Sequence, residues 1–296
     1  MDRYTNPSKF TPFTMRVKDE IKSFQRPAVM GILNITPDSF YAGSRIANID
    51  EAIARAMLMQ QEGASIIDIG GQSTRPGSVR ISSKEEMKRV LPVVEAIHTE
   101  LPEMLISIDT YHSEVAAATL AAGAGIINDI SAGSMDSKIF DVAVDFSAPY
   151  VLMHKQGTPE TMQDEPQYAD VTAELTKFFL NTTRQLIQRG INDIILDPGI
   201  GFGKTTDHNL TLLRELESLR PIGFPILTGV SRKRFIQQIT QSDADGSLFG
   251  STAMHALLLE RGASILRVHD VKAAVDTVKV YCALNEVSDD ESFLKQ

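Results

Sequence analysis

The stretch Asp197-Pro198-Gly199-Ile200-Gly201-Phe202-Gly203-Lys204-Thr205 sets a carboxylate, three glycines and a lysine directly after an apolar run. Its Gly-Lys-Thr ending is that of a phosphate-cradling loop, but such a loop needs a glycine where this chain has Pro198. The spacing Gly199, Gly201, Gly203 also misses the dinucleotide-binding fingerprint. Other ionisable and amide residues end other apolar runs: Asn34, Asp68, Asp109, Asn128 with Asp129, His154 with Lys155, Ser231, and Arg267 with His269. They sort into two chemistries. Asp109, Asn128 and Asp197, with Lys233 as an added donor, suit the acceptor and donor edge of a flat heterocycle. Arg75, Arg267, His269 and the Ser231-Arg232-Lys233 turn bring positive charge and N–H donors suited to phosphate or carboxylate oxygens. A ligand with a polar ring at one end and an anion at the other meets both.

Positioning these groups falls to eight short runs rich in β-branched residues, at 28–34, 65–71, 105–110, 125–130, 150–155, 194–199, 225–231 and 265–270. Continuous rather than alternating hydrophobicity marks parallel strands covered on both faces. Helical periodicity fills the gaps at 51–62, 84–101, 113–122, 171–189, 210–219, 247–261 and 271–283. Eight such units predict a single (β/α)8 barrel, whose strand ends converge on one face. A doubly wound open sheet is the alternative, but it carries a Gly-rich loop after its first strand, and here that strand runs into "NITPDSF". Residues 1–27 read as an extension with a β-hairpin that plugs the barrel floor, 28–285 as the barrel and 286–296 as a tail. Two long polar loops, 36–48 and 70–82, read as lids.

Composition narrows the partners. A net charge of -9 disfavours a nucleic-acid surface, so any anionic ligand is held by a few local cations. The six histidines form no metal-ligand pair, and the single cysteine excludes an internal disulfide. Neither a membrane span nor a signal peptide is evident, and a cytoplasmic protein is expected.

The motifs "MGILNITPDSF", "DIGGQSTRPGS", "SIDTYHSEVA", "INDISAG", "LMHKQGTPETMQ", "LDPGIGFGKT", "GVSRKRFI" and "RVHDV", in this order, resemble those of the dihydropteroate synthase family. The resemblance implies a barrel transferase of folate synthesis, joining para-aminobenzoate to 6-hydroxymethyl-7,8-dihydropterin pyrophosphate with release of pyrophosphate. It implies that Asp109, Asn128, Asp197 and Lys233 hold the pterin, between Met153 and Phe202 as walls, with Asp109, Asp197 and Lys233 as the catalytic set. Asn34 is implied as a ligand of Mg2+ beside the pyrophosphate, Arg267 and His269 as its anion partners, and Thr74, Arg75, Pro76 and Ser231 as the para-aminobenzoate subsite. Lys204 is then expected at the rim. A homodimer with small-molecule substrates is also implied.

Two residues depart from the family pattern. Ala42 replaces an aspartate in the first lid, and Gln72 replaces an acidic residue in the second. A barrel methyltransferase domain binding a reduced folate is an alternative, but it has no use for the Ser-Arg-Lys turn and the Arg-x-His ending. A non-catalytic pterin-binding paralogue is the other, raised by Ala42. If the missing aspartate serves lid closure alone, Ala42→Asp raises kcat or lowers KM for para-aminobenzoate and leaves pterin affinity within about threefold, because only interactions made first in the closed complex accelerate the step. Steady-state kinetics of both proteins check this; no improvement over an efficient wild type rejects an impaired lid.

Overall fold

The computed structural model describes residues 10–35, 45–72, 80–157 and 166–287. Strands β1 (Phe13–Val17) and β2 (Glu20–Phe24) form an antiparallel hairpin. Eight parallel strands follow: β3 (Ala28–Asn34), β4 (Ile66–Gly70), β5 (Leu105–Asp109), β6 (Ile126–Asp129), β7 (Tyr150–Met153), β8 (Ile194–Asp197), β9 (Leu227–Thr228) and β10 (Ile265–Val268). They pair in the order β8-β7-β6-β5-β4-β3-β10-β9, and a bridge from Leu196 to Ile226 brings β8 back to β9. The sheet is a nearly closed barrel.

Helices α1 (Arg45–Glu62), α2 (Ser83–Glu100), α3 (Ser113–Ala121), α4 (Ile139–Asp145), α5 (Val171–Arg189), α6 (Thr206–Arg214), α7 (Arg234–Thr240), α8 (Leu248–Glu260) and α9 (Val271–Leu284) lie between and after the strands. Residues 171–189 form a helix as the periodicity predicts, for local reasons. The Asp170 carboxylate accepts from Ala173 N at its start, and Gly190, at φ 99°, ends it in the left-handed conformation. Its face buries Val171, Leu175, Phe179 and Leu186. The helix expected at 210–219 instead breaks after Arg214 into a 3-10 segment, Leu216–Ile222, where Pro221 has no N–H to continue an α-helix. The helices α4 and α7, seven residues each, are too short for a periodic signal in the sequence.

Side chains alternate along each strand between the barrel interior and the helix layer. The floor of the interior is apolar: Met30, Ile66, Ile126, Val151, Ile195, Leu227 and Ile265 close around Met15, which the hairpin inserts from below. Phe13 stacks on Phe24 beneath it at 4.7 Å. Outside, Val29, Leu33, Ile67, Ile69, Leu152 and Leu196 pack into the larger cluster under the helices.

One ionisable group is buried between helix and barrel. Glu86 of α2 is 1% exposed and accepts a hydrogen bond from Thr110 Oγ1 at 2.8 Å, just past the end of β5. Burial pushes its carboxyl up to about 7, against the pull of the Thr110 hydroxyl and Arg89. A folded pKa raised above the unfolded one leaves stability intact at low pH and removes it as pH rises from the unfolded value through the folded one. Glu86→Gln, which has no proton to lose, is therefore expected to match the wild type near pH 4 and exceed it in stability by roughly 2–3 kcal/mol above pH 8. Denaturant unfolding at both pH values checks the sign; a variant less stable at high pH than at low pH, relative to wild type, contradicts it.

Candidate active site

Above the apolar floor the interior positions turn polar. The inward residue after Ile66 is Asp68; after Leu105 come Ser107 and then Asp109; after Ile126, Asn128; after Ile195, Asp197; after Ile265, Arg267. Asp109, Asn128, Asp197 and Arg267 line a small cavity at the strands' C-terminal ends, joined by Ser231, Lys233 and His269 from the turns beyond β9 and β10. Ile130, Met153 and Phe202 form its apolar wall.

The deepest contact is a guanidinium between two carboxylates. Arg267 donates from Nε to Asp68 Oδ2 at 2.6 Å and from Nη2 to Asp109 Oδ2 at 2.7 Å. Asp68, with no exposed surface, also accepts from Ser107 Oγ at 2.6 Å and Asn128 Nδ2 at 3.0 Å. Isolated carboxylates are costly to bury, so the shared arginine is what allows two of them here. Burial still raises the Asp109 carboxyl, against the pull of Arg267 and with the help of neighbouring Asp68. Asp197 is raised by burial too, opposed by the Gly199 amide and Lys233.

Against its burial, Arg267 is raised by Asp68 and Asp109, whereas desolvation lowers the lysine and the histidine of the cavity. Lys233 falls to about 8 through burial, despite the attraction of Asp197. Its Nζ donates to Ile200 O at 2.5 Å and lies 4.2 Å from the Phe202 ring centre, a cation–π contact. His269 falls to about 4, through burial and then the charges of Arg267 and Arg232. Its imidazole is thus neutral at neutral pH, its backbone N donates to Ser231 Oγ at 3.2 Å, and its Nδ1 lies 3.2 Å from the same hydroxyl.

The glycine-rich turn after β8 explains its own sequence. Gly199 has φ 63°, and a Cβ there would fall 1.9 Å from the His154 carbonyl oxygen; Gly203, at φ 61°, would place one 2.2 Å from Gln156 O. Only glycine tolerates both the conformation and the approach. The Gly199 amide donates to Asp197 Oδ1 at 2.7 Å, fixing that carboxylate at the cavity edge.

Of the residues singled out in the sequence, Asp109, Asn128, Met153, Asp197, Phe202, Ser231, Lys233, Arg267 and His269 come together around this one cavity. Asn34 ends β3 beside its register partner Gly70, at the same end of the barrel but not on the cavity wall. Thr74, Arg75, Pro76 and Ala42 lie outside the described residues. Gln72 is described: its Oε1 accepts from Tyr111 OH at 3.0 Å and Ile81 N at 3.2 Å, tying the base of the second long loop to the end of β5.

Several expectations are corrected. Lys204 is not at the rim; it is 3% exposed, with its ammonium bonded to backbone carbonyls. Arg232 does not face the ligand. Its backbone is left-handed, at φ 57°, which turns the side chain outward to a bidentate pair with Asp270 and a third bond to Asp245. Asp129, one residue from Asn128, points into the helix layer and accepts from Ser131 N, Gly133 N and Tyr150 OH. The His154 ring packs edge-on against Phe178 of α5. Conversely, Asp68 is legible as a polar strand residue but not as the second anchor of Arg267; counting by twos from Ile66 finds it.

Comparison with known proteins agrees with this geometry. The family described as "Pterin binding enzyme" matches residues 30–269. The dihydropteroate synthase of Synechocystis sp. is 44% identical over 288 residues, 96% of this chain and 99% of that protein. The solved Xanthomonas albilineans dihydropteroate synthase with 4-aminobenzoic acid superposes with a TM-score of 0.86 at 40% identity, covering 94% of this chain and all of that one. The same enzyme in complex with 7,8-dihydropteroate gives 0.83 at 37% identity, covering 93% of this chain and 100% of that one. With the barrel, the cavity and the ordered motifs in agreement, the chain belongs to the dihydropteroate synthases, transferases within the pterin-binding enzyme family.

Proposed function

We propose that this chain condenses 6-hydroxymethyl-7,8-dihydropterin pyrophosphate with para-aminobenzoate to give 7,8-dihydropteroate and pyrophosphate. The observation that carries this reading is the meeting, in one cavity, of carboxylate and amide groups for a heterocycle edge with basic and N–H groups for an anion. Asp109, Asn128, Asp197 and Lys233 would hold the pterin edge, and Met153 and Phe202 its faces. Ser231, with Thr74, Arg75 and Pro76, would frame the para-aminobenzoate. Arg267 and His269 would take the pyrophosphate side. The related enzymes with 4-aminobenzoic acid and with dihydropteroate bound support the substrate assignment.

The reaction breaks the bond from the pterin methylene to the pyrophosphate oxygen, the electron pair leaving with pyrophosphate. The aryl amine then forms a C–N bond and gives up a proton. Anions near the ring, Asp109 and Asp197, stabilise positive charge spread over the pterin, while cations and N–H donors beside the pyrophosphate stabilise the leaving group. Among the described residues no group of three or more His, Cys, Asp or Glu is placed to hold a metal. Mg2+ takes most of its oxygen ligands from substrate phosphates and water and few from protein. The Asn34 amide oxygen would supply one, and the ion would neutralise leaving-group charge.

A cytoplasmic location fits the single cysteine, and none of the described helices is long and apolar enough to cross a membrane. A homodimer fits the adjacent helices α7, α8 and α9, which leave Ile239, Phe249, Leu257, Val280 and Leu284 exposed, Phe249 to 84%.

The direct test is pyrophosphate release by purified protein, dependent on para-aminobenzoate; no release with both substrates present rejects the assignment. The separate roles of Arg267 and His269 are also testable. Because Arg267 orders Asp109 as well as facing the anion, Arg267→Ala is expected to weaken a pterin lacking phosphates as well as the pyrophosphate ester. His269→Ala removes a donor that touches no carboxylate, so it should weaken the ester by roughly 10–100-fold and the phosphate-free pterin by less than about threefold. Calorimetry with both ligands decides; equal losses for His269→Ala remove it from the anion subsite. Sedimentation equilibrium checks the dimer: a mass of about twice 32.5 kDa is expected, and a monomer at micromolar concentration refutes it.

A further inference from the structure

The lysine of the glycine-rich turn takes no part in the chemistry above, yet it is 3% exposed and fully hydrogen-bonded. Its Nζ donates to His154 O at 3.1 Å, Gly199 O at 3.0 Å and Phe202 O at 3.0 Å. An ammonium has three hydrogens, so these bonds saturate it and leave none for a ligand. The three carbonyls belong to two different βα connections, the end of β7 and the turn after β8. Without a cation at their focus, three carbonyl dipoles aimed at one point repel each other, and the other bonds of the turn, such as Gly201 N to Asn209 Oδ1 at 2.8 Å, do not touch that focus. Burial holds the ammonium down to about 7; Asp197 opposes this shift and Lys233 adds to it.

What the turn carries faces the cavity. At its start Asp197 accepts from Gly199 N, in its middle Ile200 O receives Lys233, and near its end the Phe202 ring lies against Lys233 Nζ. Tyr168 OH adds one more tether, to Gly203 O at 2.8 Å. We propose that Lys204 is a positioning residue: bonded only to backbone, its side chain fixes the turn so that the Asp197 carboxylate and the Phe202 ring stand at the spacing a flat ring requires. The proposal deepens the reading of this cavity as the pterin subsite and rests on it. The fixed position of Ser231, held by its own bonds to His269 across the cavity, is independent of Lys204.

Two variants test it. Lys204→Met keeps the stem and loses all three donors, while Lys204→Gln keeps an amide able to serve two of the carbonyls. The measurements are pterin affinity by calorimetry, KM for para-aminobenzoate in the pyrophosphate-release assay, and the melting temperature. Expected for Lys204→Met is a loss of about tenfold or more in affinity for pterin, with and without its pyrophosphate, and a KM for para-aminobenzoate within about threefold of wild type; Lys204→Gln recovers part of the loss. Should Lys204→Met not fold, Lys204→Gln carries the test, with a pterin-specific loss expected. Wild-type pterin affinity in either folded variant, or equal losses for pterin and para-aminobenzoate, overturns the proposal. Failure of both to fold overturns it too, since the residue then serves the fold alone. A wild-type protein that binds no pterin pyrophosphate instead sinks the reading of the cavity itself.

Discussion

Two carboxylates and one guanidinium are joined in the upper interior of the barrel, and their mutual compensation is the constraint on which the rest depends. Asp68 and Asp109 stand on neighbouring strands, with the side chain of Asp68 fully buried, and the arginine from β10 pairs with both. Strip that arginine and two buried carboxylates face each other without a counter-charge, a situation that ordinarily costs roughly 3–5 kcal/mol or forces protonation. The apolar floor serves the same end. Met15 and the ring of aliphatic residues around it exclude water from below, so the charges above remain in a medium where each interaction is strong.

The same desolvation sets the charge state of the cavity. Lys233 is held to about 8 and His269 to about 4, while Arg267, against its burial, is raised by Asp68 and Asp109 and keeps its charge. An approaching anion opposes the lowering of Lys233 and His269, since a negative charge favours their protonated forms. At neutral pH the free site therefore keeps its charge on Arg267 and mostly on Lys233, while His269 meets a ligand as a neutral imidazole.

How much of this is legible in the sequence follows from the periodicities involved. The strands are readable because both faces of each are covered, giving continuous apolar runs, and the polar residue ending each run marks the functional face. What the runs do not state outright is parity. Asn128 and Asp129 are consecutive and chemically alike, yet one lines the cavity and the other braces Tyr150 in the helix layer. Arg232 and Lys233 divide in the same way, the first turned out to Asp270 by a left-handed backbone that nothing in its residue type announces. The burial of Lys204 is illegible for a deeper reason: its partners are backbone carbonyls, which every sequence possesses, brought to one point only by the folded turn.

The shared arginine also changes how the two chemistries inferred from the sequence relate. As residue types they separate cleanly, acids and amides for a ring, bases for an anion. In the structure Arg267 belongs to both, since the guanidinium that would meet a phosphate oxygen also holds Asp109, which would meet the ring. Under the proposed reading, an anion that draws on Arg267 loosens its hold on Asp109 and leaves that carboxylate freer to accept from the pterin. A pterin N–H that engages Asp109 likewise frees guanidinium hydrogens for the anion. Each half of the ligand thus relieves a cost that the other half would otherwise bear alone, so a molecule carrying both ends binds better than the separate pieces predict. Asp68 is what makes this exchange feasible. Buried below and bonded to Ser107, Asn128 and Arg267, it would keep the guanidinium anchored were Nη2 to exchange Asp109 for an anion.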